Sequence, residues 1–403
     1  MAMSLAAALL AGCAKGDFTP PKQVFKSTAC KGGCTNTALV ISADGRYVAA
    51  SGKDETQIFE IGGHYDPTRI TIGGDKLASS PDGRFLLMQH ALDSPGGVGI
   101  RLFRFDIGQT VYRDPGVITG LLKRDRHNPF RKSGEVLEVS PYNSYSEVQA
   151  LDWRYRRLTL YSVNFPNGGA DPGNAPRLMA IADDPYRTAW SRDRPDPRGV
   201  ITMFGVDGTV RDAETAWPEP PEWRTFSLNG ALYAAESKGR VAIWDVRTGK
   251  ITNQLDRDGY CMLSGGGAPR VGQLTVVCAD KAVAATRLTA WLFPGREPLF
   301  DLSSGDGWTI RDWRVVANGS RMAVLDTRSG AGGGGKVRAR IRVATMGRAA
   351  RAPVVIDLGE VDQPQFIVMS MSGSGRLLAV RMPNGDIRIY EPDALAAGAS
   401  SGA

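Results

Sequence analysis

Apolar and polar residues alternate along several short stretches of the chain. In VAIWDV, Val241 and Ile243 fall on one side of an extended backbone, and in DIRIYEP the same holds for Ile387 and Ile389. A period of two residues is typical of a strand with one buried face, whereas a helix repeats its apolar positions every three or four residues. Both stretches therefore predict β-strands, and helical spacing fits none of the comparable segments.

The same order of elements recurs along the chain. Each copy has a turn with Gly after Ser, Asn or Asp, an apolar strand, a second polar turn and an alternating strand. The clearest copies are residues 39–63, 77–108, 226–251 and 369–393. Weaker copies are residues 140–163, 181–208, the hairpin between Cys261 and Cys278, and residues 314–346. Eight candidate units over residues 39–393 average about 44 residues each, close to the spacing of a propeller blade.

Two of these stretches resemble a known family of repeats. SPDGRFLL (80–87) and VAIWDVRTGK (241–250) are similar to WD40-type and related bacterial β-propeller repeats, in which each unit forms a four-stranded blade. The resemblance implies an all-β fold, a single β-propeller of eight or alternatively seven four-stranded blades over residues 38–393. An N- or C-terminal strand would complete the blade where the ring closes, and the small, polar tail 394–403 is expected to be disordered.

The composition agrees with many short strands joined by turns. The chain has 403 residues, of which 48 are Gly and 24 are Pro, enough for two ordinary domains or one large all-β domain. Its formal net charge of +7 favours either an anionic partner or simply solubility. The densest basic cluster, KRDRHNPFRK (123–132), is interpreted as an exposed insertion loop. Its residues Lys123, Arg124 and Arg126 are candidates for contact with an anionic partner.

A second basic pattern lies in KVRARIRVATM (336–346). Alternation predicts a strand with Lys336, Arg338, Arg340 and Arg342 on one face and apolar residues on the other. On an outer strand of a blade these four side chains would form a cationic ridge. The ridge is interpreted either as protective charge on an edge strand, which we favour, or as a contact for phosphate-rich lipid head groups, lipopolysaccharide or an acidic protein.

The first residues predict where the protein works. An uncharged run rich in Ala and Leu ends in LLAGCAK (9–15), and it suits either a buried helix or the apolar part of a signal peptide. The order of residues favours the second, because L-A-G-C resembles the bacterial lipobox. The resemblance implies a cleaved signal peptide over residues 1–12, acyl chains such as palmitate on Cys13, and a tether over residues 13–37. With Ala14 after the cysteine, it also implies an outer-membrane location facing the periplasm.

The remaining four cysteines suit an oxidising compartment, because their number is even. Cys261 and Cys278 flank a Gly-rich segment symmetrically, which predicts facing positions on two strands of a hairpin and a disulfide between them. Cys30 and Cys34 in CKGGC would then close a tight loop. This spacing matches neither a haem attachment site nor a zinc motif, so no metal is expected.

No catalytic motif and no cofactor site emerge from the sequence. GAGGGGKV (330–337) has the glycines and lysine of a phosphate-binding loop, but Val337 stands where a Ser or Thr would bind magnesium. The sequence therefore predicts a protein that is not an enzyme: a lipid-anchored interaction scaffold in a cell-envelope complex, with envelope proteins and the membrane as partners and no nucleic acid or small-molecule substrate. The alternative is a propeller enzyme, or a small-ligand or sugar-binding protein, with its site in the central channel.

Overall fold

The fold was taken from a computed structural model of the chain. The structure describes residues 18–29, 38–63, 66–74, 76–80, 82–91, 98–114, 136–141, 145–151, 157–164, 177–183, 186–191, 200–205, 210–214, 223–227, 231–264, 272–281, 283–295, 298–316, 319–329, 336–346 and 352–400. Within these ranges the chain forms 31 β-strands, two short 3-10 turns and one α-helix. The prediction of an all-β fold is confirmed.

The strands are distributed over eight antiparallel sheets, numbered here along the chain. Sheet 1 contains β2 (Leu39–Ile41), β3 (Tyr47–Ser51), β4 (Thr56–Glu60) and β5 (Thr68–Ile70). Sheet 2 contains β6 (Lys76–Ser79), β7 (Phe85–Ala91), β8 (Val98–Arg104) and β9 (Gln109–Asp114). Sheet 3 contains β10 (Val136–Pro141), β11 (Tyr145–Leu151) and β12 (Arg157–Asn164). Sheet 4 contains β13 (Arg177–Asp183), β14 (Tyr186–Ser191), β15 (Val200–Gly205) and β16 (Val210–Glu214).

The second half of the chain continues in the same way. Sheet 5 contains β17 (Trp223–Phe226), β18 (Leu232–Ser237), β19 (Arg240–Asp245) and β20 (Lys250–Asp256). Sheet 6 contains β21 (Cys261–Ser264), β22 (Leu274–Ala279), β23 (Arg287–Phe293) and β24 (Pro298–Ser303). Sheet 7 contains β25 (Thr309–Val315), β26 (Arg321–Ser329), β27 (Val337–Thr345) and β28 (Val354–Val361). Sheet 8 contains β29 (Val368–Met371), β30 (Leu378–Arg381), β31 (Asp386–Tyr390) and, from the other end of the chain, β1 (Gln23–Lys26).

Each of the eight candidate repeat units falls on a separate sheet. In the described residues seven sheets have four strands and sheet 3 has three, always in chain order except where β1 joins sheet 8. The first strands of neighbouring sheets contact each other, as β25 does β29, β29 does β2 and β2 does β6. This is the arrangement of a β-propeller, whose blades meet at their inner strands. The exact number of blades in the closed ring stays a prediction.

β1 adds the outermost strand of sheet 8. It pairs with β31 in antiparallel register, with Val24 opposite Arg388 and Phe25 opposite Ile387. The last sheet thus takes strands from both ends of the chain, as the sequence predicts for the blade that closes a propeller. Such pairing removes an exposed sheet edge and joins the two ends of the domain non-covalently.

The core lies between neighbouring sheets rather than on one side of each. One apolar cluster joins sheets 5 and 6, a second joins sheets 6 and 7, and a third joins sheets 7 and 8. Middle strands are consequently buried on both faces. In β19, Ala242 and Trp244 are as fully buried as Val241 and Ile243, because a further layer covers the face that alternation assigned to solvent.

Residues 394–400 form part of a helix, where the sequence predicts disorder over residues 394–403. Helix α1 (Pro392–Ser400) follows β31, and Leu395 packs against the cluster between sheets 7 and 8. Pro392 at the start and the Ala-rich sequence after it both favour a helix. The carboxylate of Asp393 also forms an ion pair with Arg321 at 2.7 Å, so the start of this helix is fixed to sheet 7.

Candidate interaction surface

Three turns between the first and second strands of a sheet share one geometry. They begin at Ser42, Ser80 and Ser372 in sheets 1, 2 and 8. In each, the serine Oγ accepts a hydrogen bond from the backbone N–H five residues later, at 2.9, 2.9 and 3.1 Å. The N–H of the glycine three residues after the serine also donates to the serine carbonyl, at 2.8–2.9 Å. These bonds satisfy the polar groups of the buried turn and fix its shape.

Each turn also requires a glycine. Gly45 has φ +76° and Gly83 has φ +73°, a left-handed conformation that side chains rarely adopt. Immediately after the glycine each turn carries an arginine, and Arg46, Arg84 and Arg376 are all exposed. The shared turn therefore presents the same cationic side chain at the same position of three sheets.

The three turns also contact one another around the ring. The N–H of Gly373 donates to the carbonyl of Ala43 at 3.0 Å, and the N–H of Ala43 donates to Ser79 Oγ at 3.1 Å. A methyl group added at Gly45 would lie 3.2 Å from Leu377, and one added at Gly83 would lie 2.6 Å from the Asp44 carboxyl carbon. The turns of sheets 8, 1 and 2 thus form one continuous surface, which we call the turn rim.

The rim is not purely basic. Asp44 and Asp82 lie in the turns themselves, where their carboxylates accept hydrogen bonds from the backbone N–H groups of Arg46 and Arg84 at 3.1 and 3.0 Å. Arg46 is additionally 3.8 Å from the Glu60 carboxylate, with 61% of its side chain exposed. The acidic groups therefore hold the turns, while the guanidinium groups extend into solvent and can exchange a weak partner for another.

The structure corrects the placement of the predicted cationic ridge. β27 is the third strand of sheet 7 and pairs with β26 on one side and β28 on the other, so it is not an outer strand. The edge-strand interpretation is wrong for that reason. Lys336, at the start of the strand, is 4.0 Å from Asp362, and Arg338 is 2.6 Å from Asp357.

The last two arginines of β27 are structural. Arg342 contacts Asp326 at 2.5 and 3.0 Å, and Arg340 contacts the same carboxylate at 3.0 Å. Arg342 also donates to the carbonyl of Ser303, the last residue of β24 in sheet 6, and Arg340 donates to the carbonyl of Ser304, which follows it. These bonds join sheet 7 to sheet 6, and we call the set of five residues the arginine clamp.

Electrostatics of the clamp follow from burial. Asp326 is fully buried, and burial raises the pKa of its carboxyl, while the two guanidinium groups act in the opposite direction. Trp308 adds a further contact, since its ring centroid lies 3.9 Å from the Arg340 guanidinium carbon and 5.0 Å from that of Arg328. Neither Arg340 nor Arg342 is a free cation at the surface.

Buried polar residues occupy an equivalent place in several second strands. Ser51, Gln89, Glu236, Asp326 and Arg381 all lie in the second half of these strands and are almost wholly inaccessible. Arg381 donates to the carbonyl of Ser51 in the neighbouring sheet at 2.8 Å, and Glu236 accepts from the N–H of Gly239 at 2.7 Å. Burial lowers the pKa of Arg381 to about 10. These groups hold the sheets and their connections together.

The predicted disulfide between Cys261 and Cys278 is present. The two residues face each other in the register of β21 and β22, and both are buried. The other predicted sites, Cys13, Cys30, Cys34, Lys123, Arg124 and Arg126, lie outside the described residues. GAGGGGKV joins two antiparallel strands, β26 and β27, rather than a strand and a helix.

The described residues contain no group of three or more His, Cys, Asp or Glu side chains placed to hold a metal ion. Over the same residues, no helix has both the length and the apolar character needed to span a bilayer.

Comparisons with known proteins give the fold. No protein-family model and no curated protein matches the chain. The WD40 domain of SCAP from fission yeast is similar in structure, with a TM-score of 0.53 at 7% identity over 93% of this chain and 98% of that one. A eukaryotic initiation factor gives a TM-score of 0.52 at 10% identity over 92% of this chain and 87% of that one. The class is thus an all-β propeller with an architecture similar to WD40 domains. Likeness at such low identity reports the fold alone.

Proposed function

We propose that this chain is an interaction scaffold, a lipid-anchored propeller in the bacterial cell envelope whose turn rim contacts partner proteins. The observation that carries the proposal is the repetition of Arg46, Arg84 and Arg376 on three turns that contact one another. Arginine is enriched at protein interfaces, and its planar guanidinium matches a carboxylate in two hydrogen bonds. A partner with carboxylates at a matching spacing fits this surface.

Rigidity supports this role. The serine, glycine and backbone hydrogen bonds of each turn fix the points from which the arginine side chains extend. A partner would then order only the side chains and not the loops, which lowers the entropic cost of binding. A fixed surface of this kind suits a protein that positions others.

The envelope location is supported by the disulfide. Cys261 and Cys278 are joined within a hairpin, and such bonds form and persist outside the reducing cytosol. Export of the chain and acylation of Cys13 agree with this requirement. Cys13→Ser should release the protein from the membrane fraction, and retention of the variant would contradict the lipid anchor.

The scaffold role is tested by recovering partners from native membranes. Wild-type protein is compared with a triple variant, Arg46→Ala, Arg84→Ala and Arg376→Ala, and bound proteins are identified by mass spectrometry. A matched control replaces Arg69, Arg240 and Arg287, which are 56%, 58% and 60% exposed and lie outside the turn rim. Loss of the same partners from the rim variant alone supports the proposal. Recovery of no partner by any form, or of identical partners by all three, would count against it.

A further inference from the structure

The N-terminal segment is fastened to the outer edges of two neighbouring sheets. The N–H of Thr19 donates to the carbonyl of Asp357 in β28 at 3.0 Å, and the N–H of Asp357 donates to Thr19 Oγ1 at 2.9 Å. The N–H of Lys22 donates to the carbonyl of Ile389 at 2.8 Å, and β1 then continues along β31. Residues 19–26 thus run from the edge of sheet 7 to the edge of sheet 8, and Phe18 lies at the outer perimeter.

The distance from Phe18 to Cys13 is limited by the chain itself. Five residues span at most about 18 Å when fully extended, and any other path is shorter. A lipid on Cys13 would therefore hold this part of the perimeter close to the bilayer whatever conformation the intervening residues adopt. The limit on distance from the lipid therefore applies to the outer edge of sheets 7 and 8. It does not apply to the two open ends of the ring.

The same perimeter exposes apolar side chains. Phe18, Val24 and Val355 are 43%, 43% and 49% exposed, and they are three of the five large apolar residues exposed in the described part of the chain. Phe18 and Val24 adjoin one another through Arg388, which faces Val24 in the strand register and lies 4.8 Å from the Phe18 ring centroid. Val355 precedes Asp357, the partner of Thr19, by two residues on β28.

Arg388 lies among these apolar side chains. Its side chain is half-buried, its Nη1 is inaccessible to solvent, and its guanidinium carbon lies against the exposed ring of Phe18. Aromatic and aliphatic side chains that enter the head-group region are the usual elements of peripheral membrane contact. We call Phe18, Val24, Val355 and Arg388 the anchor edge.

We propose that the anchor edge contacts the phospholipid surface, so that the propeller stands on its edge and both ends of the ring, including the turn rim, stay open to partners. This orientation rests on the proposed function, because it requires the lipid on Cys13. A single lipid attachment leaves a protein free to rotate, and contacts at the perimeter would restrict that rotation. The turn rim would then face parallel to the plane of the membrane and not toward the bilayer.

The test uses full-length acylated protein in vesicles of phosphatidylethanolamine and phosphatidylglycerol. The photoreactive amino acid p-benzoylphenylalanine replaces Val24, Val355 or Val283. Val283 is a matched control, since it is a valine with 80% exposure in the connection between β22 and β23, away from the outer edges. Irradiation should give roughly fivefold more lipid adduct at positions 24 and 355 than at 283, because only side chains held at the interface meet acyl chains.

Equal adduct yields at the three positions would overturn the edge-on orientation. Irradiation in native membranes that links positions 24 and 355 to a protein in place of lipid would overturn it as well. Mass measurement of the N-terminal peptide and fractionation of Cys13→Ser separate this outcome from failure of the proposed function. If the protein carries no acyl chains, both proposals fail. If it is acylated and the three positions give equal adduct yields, only the edge-on orientation fails.

Discussion

Arginines serve two different purposes in this propeller. In the arginine clamp, Arg340 and Arg342 bind a buried carboxylate and carbonyl groups of the adjacent sheet. On the turn rim, Arg46, Arg84 and Arg376 follow a structurally required glycine and extend into solvent. The side chain is the same in both places. In the clamp its partners belong to the fold, whereas at the rim it is available to bind another molecule.

The difference shows that alternation alone does not reveal exposure. Polar residues at every second position of a strand face solvent only if one side of the sheet is uncovered. In a propeller each sheet is covered on both sides by its neighbours, so the arginine face of β27 meets sheet 6. At a turn, by contrast, the chain reverses at the end of a sheet, and the residue after the glycine points outward.

The largest effect is expected for Asp326→Asn. The substitution leaves the buried Arg342 and the partly buried Arg340 without a counter-charge, and breaking a buried ion pair in this way costs about 3–5 kcal/mol of unfolding free energy. Urea unfolding followed by circular dichroism measures the change in midpoint. As a control, Asp256→Asn removes the partner of Arg240 in an exposed pair and should cost less than about 0.5 kcal/mol.

A companion variant separates the charge from the packing of the clamp. Replacing Asp326, Arg340 and Arg342 together by Leu, Met and Met removes the buried charges while keeping apolar volume. Such replacements are often neutral or stabilising, so this variant should be more stable than Asp326→Asn. A triple variant as unstable as the single one would show that the carbonyl contacts of the arginines, and not charge balance, hold the two sheets.

The disulfide of sheet 6 is expected to contribute nearly as much. Cys261 and Cys278 are 17 residues apart, and closing a loop of this size stabilises a protein by about 3 kcal/mol through the unfolded chain. The variant Cys261→Ala, Cys278→Ala should lose that amount in urea unfolding. Reductant should lower the urea midpoint of the wild type by breaking this bond, an effect that the double variant lacks. A double variant with the same midpoint as the wild type would contradict a structural role for the bond.

Much of the fold was predictable because each repeat is specified by residues that are close together in the sequence. The Ser-x-x-Gly turn needs a hydroxyl acceptor and a left-handed residue, and both are visible at Ser42, Gly45, Ser372 and Gly375. The cysteine pair was predictable because its spacing is symmetric about a hairpin. The clamp was not, because which sheet faces β27 depends on residues such as Ser303 that lie far away in the chain.

The candidate site was missed for a related reason. Arg46, Arg84 and Arg376 belong to the turn motif used to find the repeats, yet they are single charges separated by many residues in the sequence. Ring closure brings sheet 8 next to sheet 1 and so gathers Arg376 with the other two. An arginine directly after the turn glycine in several units is the signal that would have identified them.

A smaller effect is expected when the contact between turns is disturbed. Gly83→Ala forces a side chain into a left-handed conformation and against the Asp44 carboxylate, so it should cost about 1–3 kcal/mol. Gly62→Ala is the control, since Gly62 has φ +85° with no atom within 4 Å of the added methyl group. The difference between the two midpoints measures the contact between neighbouring turns, and equal losses would mean that the rim is not continuous in energetic terms.

The triple variant of the turn rim is expected to have the smallest effect on stability and the greatest effect on binding. The rim variant, with Arg46, Arg84 and Arg376 changed to Ala, removes exposed side chains, and the ion pair of Arg46 with Glu60 is long and exposed. Its unfolding free energy should therefore change by less than about 0.5 kcal/mol. Urea unfolding of the rim variant beside Asp326→Asn compares the two uses of arginine directly. A loss from the rim variant as large as that from Asp326→Asn would show that the rim arginines, like those of the clamp, serve the fold, and partner loss in that variant would then report unfolding.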